Sequence, residues 1–412
     1  MISLRIGILT TCLSALACID MAPGAIKLGE LEPLNPPLGE GSLWPKLSTF
    51  GDDVVLSWQE RDAENQWSVK MAILDEGGWA PARTVARSTE ESGFFISWAD
   101  FASVDFLDAD LLVAHWLPRG PNGGYDYGVR IARSTNGGQT WTEPWTPHTD
   151  GTLTEHGFVS KFPLENGGIG LVWLDGRNSV DVDGQKGIPG AMGLQYRSLD
   201  RGGLPGPEVL IDDRVCDCCQ TDAAVSASGP VVVYRNRSEG EVRDIYVTRL
   251  VDGHWTEGIP VHADGWVIPA CPVNGPAVAA REHEVAVAWF TGAGDEPKAQ
   301  LSFSTDGGIH FGDPIRVDDG RALGRVDVLW LENGSVLVMW LERRPRTGEV
   351  LVRQVWPDGR ISGEAVVTTT SAGRDSGFPR VIEDGMGRLV FVWTQTGSDR
   401  RVKMARTREA VR

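Results

Sequence analysis

Positive charge and long apolar stretches are both scarce in this sequence. Its 39 lysine and arginine residues are outnumbered by 56 aspartate and glutamate residues, which gives a formal net charge of -17 over 412 residues. Because nucleic acid and anionic membrane surfaces are bound through basic patches, the composition argues against either partner. Beyond the N-terminal segment no apolar stretch is long enough to span a bilayer, so we expect membrane contact only through a lipid anchor.

Cysteine is also rare, with six in the whole chain. Two of them lie in the N-terminal segment, where Arg5 precedes an apolar run from Ile6 to Ala17, a pattern typical of a signal peptide over residues 1–18. The letters LSALAC also resemble a lipobox, in which Cys18 would be lipidated after cleavage. We therefore expect an exported protein, and leave open whether it is periplasmic or an outer-membrane lipoprotein.

A repeated unit fills the rest of the chain. A short apolar run rich in β-branched residues recurs seven times at intervals of 51 to 61 residues, and each run ends in an aromatic residue: Trp58, Trp116, Trp173, Tyr234, Trp289, Trp340 and Trp393. Another short strand precedes each run and a third follows it. This periodicity predicts an all-β fold, a seven-bladed β-propeller of four-stranded antiparallel blades, forming a single domain over residues 25–412.

The last repeat ends after its third strand, near Arg406. The segment from Ala25 to Leu34 precedes the first repeat and has no place in it. We predict that this segment supplies the outer strand of the seventh blade and closes the ring, because closure removes exposed sheet edges.

A second repeat is found in two turns. Residues 134–141 read STNGGQTW and residues 304–311 read STDGGIHF, with a degenerate copy at Ser198, Asp200 and Gly202. The pattern resembles the Asp-box, or BNR repeat, of sialidase-like propellers, where it forms the turn between the third and fourth strands of a blade. The resemblance implies a sialidase-like propeller and, as a first expectation, an exo-sialidase or other glycoside hydrolase acting on a glycan or small molecule.

Several residues that sialidases need are missing. The stretch entering the first blade, Leu43 to Lys46, lacks the arginine of the family's Phe/Tyr-Arg-Ile-Pro motif, and no tyrosine follows Tyr246 to act as the late nucleophile. Asp62 stands where an acid/base aspartate is expected, and Arg325 and Arg380 are candidate arginines for binding a substrate carboxylate. We therefore expect a sialidase-like propeller with different chemistry, and leave open whether it is an enzyme.

The four remaining cysteines lie in two loops. Cys216, Cys218 and Cys219 are in VCDCCQTDA and Cys271 is in ACPVNGPA. CDCCQT and CPVNGP loops of this kind resemble those of exported sialidase-like propellers. Alignment of the strands that follow puts Cys218 and Cys271 at equivalent positions in adjacent blades. We predict that all four thiols converge at the mouth of the central tunnel.

Histidines and carboxylates occur in the neighbouring loops. PHTDGTLTEHGF contains His148, Asp150, Glu155 and His156, and VHADGW contains His262. Thiolate with imidazole favours copper first and zinc second, so we predict a metal site that draws its ligands from Cys216, Cys218, Cys219, Cys271, His148, His156 and His262. Glu155 or Asp150 would then be a catalytic base or a support for the ligands.

Two other uses of the cysteines stay open. Exported proteins commonly pair their cysteines as disulfides, which would leave a glycan- or protein-binding module with disulfide-shaped loops. A dithiol redox pair is the second alternative. The second loop of blade four adds Arg235 as a candidate catalytic residue, with Tyr234 and Arg237 as candidate binding residues.

Overall fold

A computed structural model describes residues 24–89, 92–179 and 191–411. The predicted signal peptide and Cys18 lie outside these residues. Within them, no helix is both long enough and apolar enough to cross a membrane. The helical segments described are three short 3-10 turns, at Ala293–Asp295, Arg374–Ser376 and Gly397–Asp399.

Seven antiparallel sheets form the seven blades, as predicted. Their strands, from the inner to the outer edge of each sheet, have the following bounds. Blade one contains Ser42–Phe50, Asp53–Arg61 and Trp67–Asp75, with Gly78–Trp79 and Arg83–Arg87 both at the outer edge. Blade two contains Ser103–Asp108, Leu111–Trp116 and Arg130–Ser134, and a single bridge from Ile131 to Trp145 takes the fourth place. Blade three contains His156–Pro163, Ile169–Asp175, Met192–Leu199 and Pro205–Val215.

The remaining blades repeat this order. Blade four contains Asp222–Ser226, Gly229–Arg235 and Ile245–Val251, with His254–Trp255 and Ile259–Pro260 at the outer edge. Blade five contains Ala277–Arg281, Glu284–Thr291, Lys298–Ser304 and Ile315–Arg316. Blade six contains Ala322–Trp330, Val336–Arg343, Gly348–Val355 and Ala365–Thr370. Blade seven contains Arg380–Glu383, Leu389–Gln395, Arg401–Thr407 and the N-terminal strand Leu31–Leu34.

The ring is closed by the N-terminal strand, as predicted. Leu31 lies opposite Thr407 and Leu34 lies opposite Met404 in an antiparallel ladder. The inner strand of each blade packs against the inner strands of its two neighbours, and the seventh packs against the first. Each inner strand therefore faces a central tunnel, and the loops that enter these strands surround one mouth of it.

The repeated aromatic residues explain why the second strand of each blade is the most buried. The side chains of Trp58, Trp173, Trp289 and Trp340 are completely buried. In three of these blades the indole N–H donates, at 2.8 Å, to a carboxylate two residues further on: Glu60, Asp175 and Glu342. Alternation along the strand puts the ring and the carboxylate on the same face, so these three indoles obtain a hydrogen-bond acceptor from their own strand, whereas Trp289 donates to Asp264 at 2.7 Å.

The two STxGG turns follow the third strands of blades two and five, as expected from their position in the repeat. In the first, the Ser134 hydroxyl accepts the Gly138 N–H at 2.9 Å, and Asn136 accepts the Thr140 N–H at 3.0 Å. The second turn repeats both bonds with Ser304 and Asp306. These polar side chains stabilise their own turn, on the face opposite the loops that enter the inner strands.

Candidate metal site at the tunnel mouth

The cysteine-rich loop connects blade three to blade four and is held by three other blades. Gln220 accepts the Gly275 N–H at 3.2 Å and donates to the carbonyl of Ala99. Thr221 donates to the Phe158 carbonyl at 2.9 Å, and Asp222 accepts the Val278 N–H at 2.9 Å. The loop is therefore fixed to blades two, three and five, and Gln220 to Asp222 line the central cavity.

All four cysteine side chains converge, and all four are free thiols. The Cys216 sulfur lies 3.0 Å from that of Cys219 and 3.8 Å from that of Cys218. The Cys218 and Cys271 sulfurs, together with a carboxylate oxygen of Asp217, lie within 4.8 Å of one another. The repeat alignment thus located these four residues correctly.

The four thiols differ in exposure. Cys216 and Cys219 are buried, Cys218 is half-buried, and Cys271 is exposed on its loop. Cys218 belongs both to the buried group, Cys216–Cys218–Cys219, and to the outer group, Asp217–Cys218–Cys271. The cluster therefore extends from the interior to the surface through one shared sulfur.

Two arginines place positive charge beside the buried sulfurs. Arg243 Nη1 lies 3.3 Å from the Cys216 sulfur and 3.2 Å from Asp217 Oδ1, and Nη2 donates to Glu241 at 2.8 Å. Burial opposes ionisation of Cys216, but hydrogen bonds from Cys218 and Cys219 and the charges of Arg235 and Arg243 hold its pKa well below the usual range. Cys216 is therefore the thiolate of the group, with the neighbouring thiols as donors.

Arg235 supports the loops with its guanidinium and is almost fully buried. It donates to the Asn274 carbonyl at 3.0 and 2.8 Å, to the Phe290 carbonyl at 2.7 Å and to the Arg243 carbonyl at 2.5 Å. Its guanidinium also stacks 5.0 Å from the centre of the Trp266 ring. The structure therefore places this candidate catalytic residue in the framework that positions the Cys271 loop.

The other two candidates from this blade also have partners within the protein. Tyr234 is completely buried and donates to Asp212 Oδ2 at 2.7 Å. Burial and the charge of Asp212 raise the pKa of Tyr234 far above its ordinary value. Arg237 is paired with Glu241 at 2.7 Å. Neither side chain is directed to an open binding surface.

The histidines form a group of their own at the loop entering blade three. The rings of His148 and His156 stack with centres 3.9 Å apart. His156 Nε2 lies 3.1 Å from Asp150 Oδ1 and its Nδ1 lies 3.1 Å from the Thr154 carbonyl. Because a carbonyl can only accept, Nδ1 carries a proton and Nε2 is the nitrogen directed at the carboxylate.

The protonation states of the two stacked histidines differ. Burial opposes the charge on His156, but the hydrogen bond to Asp150 and the charge of Asp175 raise its pKa. Burial and the adjacent charged ring lower the pKa of His148 to about 4, and its Nε2 accepts the Val129 N–H at 3.2 Å. Arg177 completes the network by pairing with Asp175 at 2.7 Å. Within this network the positive charges of His156 and Arg177 thus offset the negative charges of Asp150 and Asp175.

The structure does not join this histidine group to the cysteines. Within the described residues, the groups that could hold a metal are the two cysteine groups and His148–Asp150–His156, and no histidine belongs to a group containing a cysteine. His262 lies on the loop before Cys271, where its Nε2 is 3.9 Å from Asp264 Oδ1. The cysteines and histidines predicted to bind one metal ion together thus lie at separate places around the tunnel mouth.

Sequence reasoning identified Glu155 but missed its partners. The buried Tyr127 hydroxyl lies 2.9 Å from Glu155 Oε1 and 2.7 Å from Asp100 Oδ2. Asp100 Oδ1 also accepts the Phe158 N–H at 2.9 Å. Asp100 and Tyr127 come from two loops remote in sequence, and nothing in the spacing of either one indicates that they meet.

The central cavity, of about 380 Å³, is lined by the candidate Arg380 and by a buried lysine, aspartate and histidine that the sequence did not indicate. Lys161 pairs with Asp105 at 2.6 Å and also contacts His115 Nδ1 at 3.0 Å. Burial and the charge of Lys161 lower the pKa of His115 well below its ordinary value, so this ring is neutral. Arg380 lines the same cavity and pairs with Asp327 at 3.3 Å.

Arg325 lies apart from these pairs, on the same face as the mouth. Its guanidinium lies 5.1 Å from the centre of the Trp98 ring and donates to the Gly377 carbonyl at 3.1 Å. Arg374 lies 5.9 Å from the same Trp98 ring. Among the described residues no carboxylate forms an ion pair with Arg325, and burial lowers the pKa of Arg325 to about 10.

No protein-family model matches the sequence, and no curated protein matches it. Solved structures share its fold at low identity. A protein of unknown function from Dyadobacter fermentans is 14% identical with a TM-score of 0.52, covering 91% of this chain and 97% of that one. The polysaccharide lyase Uly1 is 12% identical with a TM-score of 0.51, covering 95% and 93%. NanB sialidase from Streptococcus pneumoniae is 12% identical, with a TM-score of 0.42 and coverage of 88% and 67%. At these identities the likeness to the first two structures concerns the fold alone.

Proposed function

We propose that this protein is an exported sialidase-like propeller, periplasmic or anchored as an outer-membrane lipoprotein, that binds a soft metal ion at the tunnel mouth. The ligands are Cys216, Cys218, Cys219 and Cys271, and the metal is copper(I) first and zinc second. One observation carries the proposal: four free thiols from two loops converge, with sulfurs 3.0 and 3.8 Å apart in the buried group. A closed propeller core does not need such a cluster for its stability.

The surroundings of the cluster support this assignment. Bound thiolates carry negative charge, and Arg235 and Arg243 lie beside them in a buried setting where that charge would otherwise be costly. Disulfide formation would use the same sulfurs, so metal binding requires the reduced state. The histidine group serves a separate role in positioning the loop that enters blade three.

Metal content and thiol counting on protein purified from the periplasm under anaerobic, reducing conditions test the proposal. We expect bound copper or zinc, and thiols that react with an alkylating reagent only after the metal is removed. Cys218→Ser should abolish this binding, because Cys218 belongs to both groups. Ala227→Ser, in an exposed turn of the same blade, is the matched control and should retain the metal. Metal-free wild type with two disulfides would overturn the proposal.

A carbohydrate ligand is the second candidate, and Arg325 is the observation that favours it. Among the described residues its guanidinium forms no ion pair with a carboxylate and lies over Trp98, an arrangement suited to an acidic sugar, because arginine pairs with carboxylates. A sialylated trisaccharide should bind more tightly than its neutral parent, and Arg325→Met should remove the difference. We expect no hydrolysis of it. Equal binding of both sugars, or turnover that is lost in Asp62→Ala, would contradict this candidate.

A further inference from the structure

The cysteine cluster has two overlapping positions for one metal ion. The inner position has three sulfurs, from Cys216, Cys218 and Cys219, and two of these residues are buried. The outer position has two sulfurs and one oxygen, from Cys218, Cys271 and Asp217. In each group the ligand atoms lie within 4.8 Å of one another. Cys218 is common to both, so an ion could move between them without leaving this sulfur.

The two positions differ in accessibility. Cys271 is exposed, and its loop also exposes Val267, whose surface is 62% accessible. Cys216 is 1% and Cys219 is 2% accessible, so an incoming metal complex cannot reach the inner sulfurs first. The outer position is therefore the point of arrival, and the inner position is the point of retention.

Arg243 connects the two positions. The same nitrogen, Nη1, lies 3.3 Å from the Cys216 sulfur and 3.2 Å from Asp217 Oδ1. A metal ion bound by Asp217 would take the place of Arg243 at this oxygen, and Asp217 would return to Arg243 once the ion had moved inward. The guanidinium thus has a partner whether the outer position is filled or empty.

We propose that Cys271 and Asp217 form a docking position at which copper(I) is received from a thiolate carrier and passed to the inner sulfurs, a proposal that rests on the metal-binding function above. A carrier thiolate leaves the ion as the Cys271 thiolate binds it. The bonds to Cys271 and Asp217 then break as bonds to Cys216 and Cys219 form, with the bond to Cys218 kept throughout. On docking, Cys218 would lose its proton and the departing carrier thiolate would take one up. On the inward step Cys219 would lose its proton, Cys216 would bind as the thiolate it already is, and Cys271 would take up a proton, so that copper keeps its oxidation state.

Stopped-flow transfer from the copper(I)–bicinchoninate complex separates the two positions. Cys271→Ser should slow copper uptake by about tenfold or more, while the inner group still retains copper. Cys219→Ser should keep fast copper uptake but weaken the affinity for copper by about tenfold or more. Asp217→Asn is a second outer variant, with slowed uptake expected, and it leaves every thiol in place. Ala227→Ser should behave as wild type.

The outcomes distinguish this proposal from the one it rests on. If wild type removes no copper from the complex and the purified protein contains neither copper nor zinc, metal binding itself fails. If wild type binds copper but Cys271→Ser takes it up at the wild-type rate, or Cys271→Ser and Cys219→Ser lose rate and affinity equally, the cluster is a single position and the docking role is overturned.

Discussion

Asp100, Tyr127 and Glu155 share a proton inside the molecule. The single Tyr127 hydroxyl proton cannot serve both carboxyl groups, which lie 2.7 and 2.9 Å away, so one of them must donate in return. Burial raises the pKa of Asp100 to about 7, against the hydrogen bonds from Tyr127 and Phe158. We therefore predict that Asp100 is the carboxyl that holds the additional proton, in which case Asp100 donates to the Tyr127 oxygen and Tyr127 donates to Glu155.

Replacing Asp100 with asparagine tests this arrangement. The folded protein holds the proton up to a pKa of about 7, whereas the unfolded chain releases it near 3.8. Between these values the folded state binds more protons, so the wild-type free energy of unfolding falls as pH rises, by up to about 1.4 kcal/mol per pH unit from this group. Asp100→Asn mimics the protonated acid and should lose this dependence, so its stability relative to the wild type should rise from about pH 4 to about pH 7.

Urea denaturation across this pH range measures the effect. The control is Asp110→Asn, which removes the same negative charge from an exposed position in blade two. It should follow the wild-type pH profile. A constant stability difference between Asp100→Asn and wild type at all pH values would show that Asp100 does not carry the proton.

At the scale of elements, one strand of four residues holds the ring shut. Leu31–Leu34 pairs with Arg401–Thr407, and Glu32 accepts from Arg406 at 3.1 Å. Just before the strand, Ile26 and Leu28 are buried in an apolar cluster with side chains of blades six and seven. The N-terminal segment therefore contributes both the outer edge of blade seven and part of its core.

Removal of this segment should open the propeller. Deleting residues 25–34 exposes the edge of Arg401–Thr407 and the apolar cluster beneath it, so we expect a large fall in melting temperature and aggregation through the open edge. The milder Ile26→Ala change should lower the free energy of unfolding by about 2 kcal/mol or more, because it leaves a cavity in a buried cluster. A protein beginning at residue 24 is the control, and an unchanged melting temperature in the deletion would contradict closure by this strand.

At the scale of the whole molecule, the candidate functional residues cluster on one face of an acidic ring. One mouth of the tunnel is surrounded by the thiols, the stacked histidines, the Tyr127 group and Arg325, which lie on loops between strands or near strand ends. The STxGG turns lie on the other face. None of the five tyrosines follows residue 246, and Tyr127, which does contact a glutamate, is 1% accessible with its pKa raised well above the ordinary value by burial and nearby carboxylates. Neither observation matches the late tyrosine nucleophile expected of a sialidase.

The number of blades, the closing strand and the meeting of the four cysteines could all be predicted from the sequence. Each depends on the repeat period. Residues at equivalent positions of adjacent repeats become neighbours around a narrow axis, so Cys218 and Cys271 meet although 53 residues separate them. The aromatic residue at the end of each second strand also follows from the repeat, because the second strand is the most buried strand of each blade.

The partners of individual side chains were decided by tertiary structure. His148 and His156 turn toward Asp150 and Asp175 rather than toward the cysteines, and Arg235 binds backbone carbonyls of a neighbouring loop. Asp100 and Tyr127 meet only because separate loops cross at the mouth. Periodicity determines which loops share a face, but which way each side chain points follows from the burial, charge and free hydrogen-bonding groups that surround it once the ring is closed.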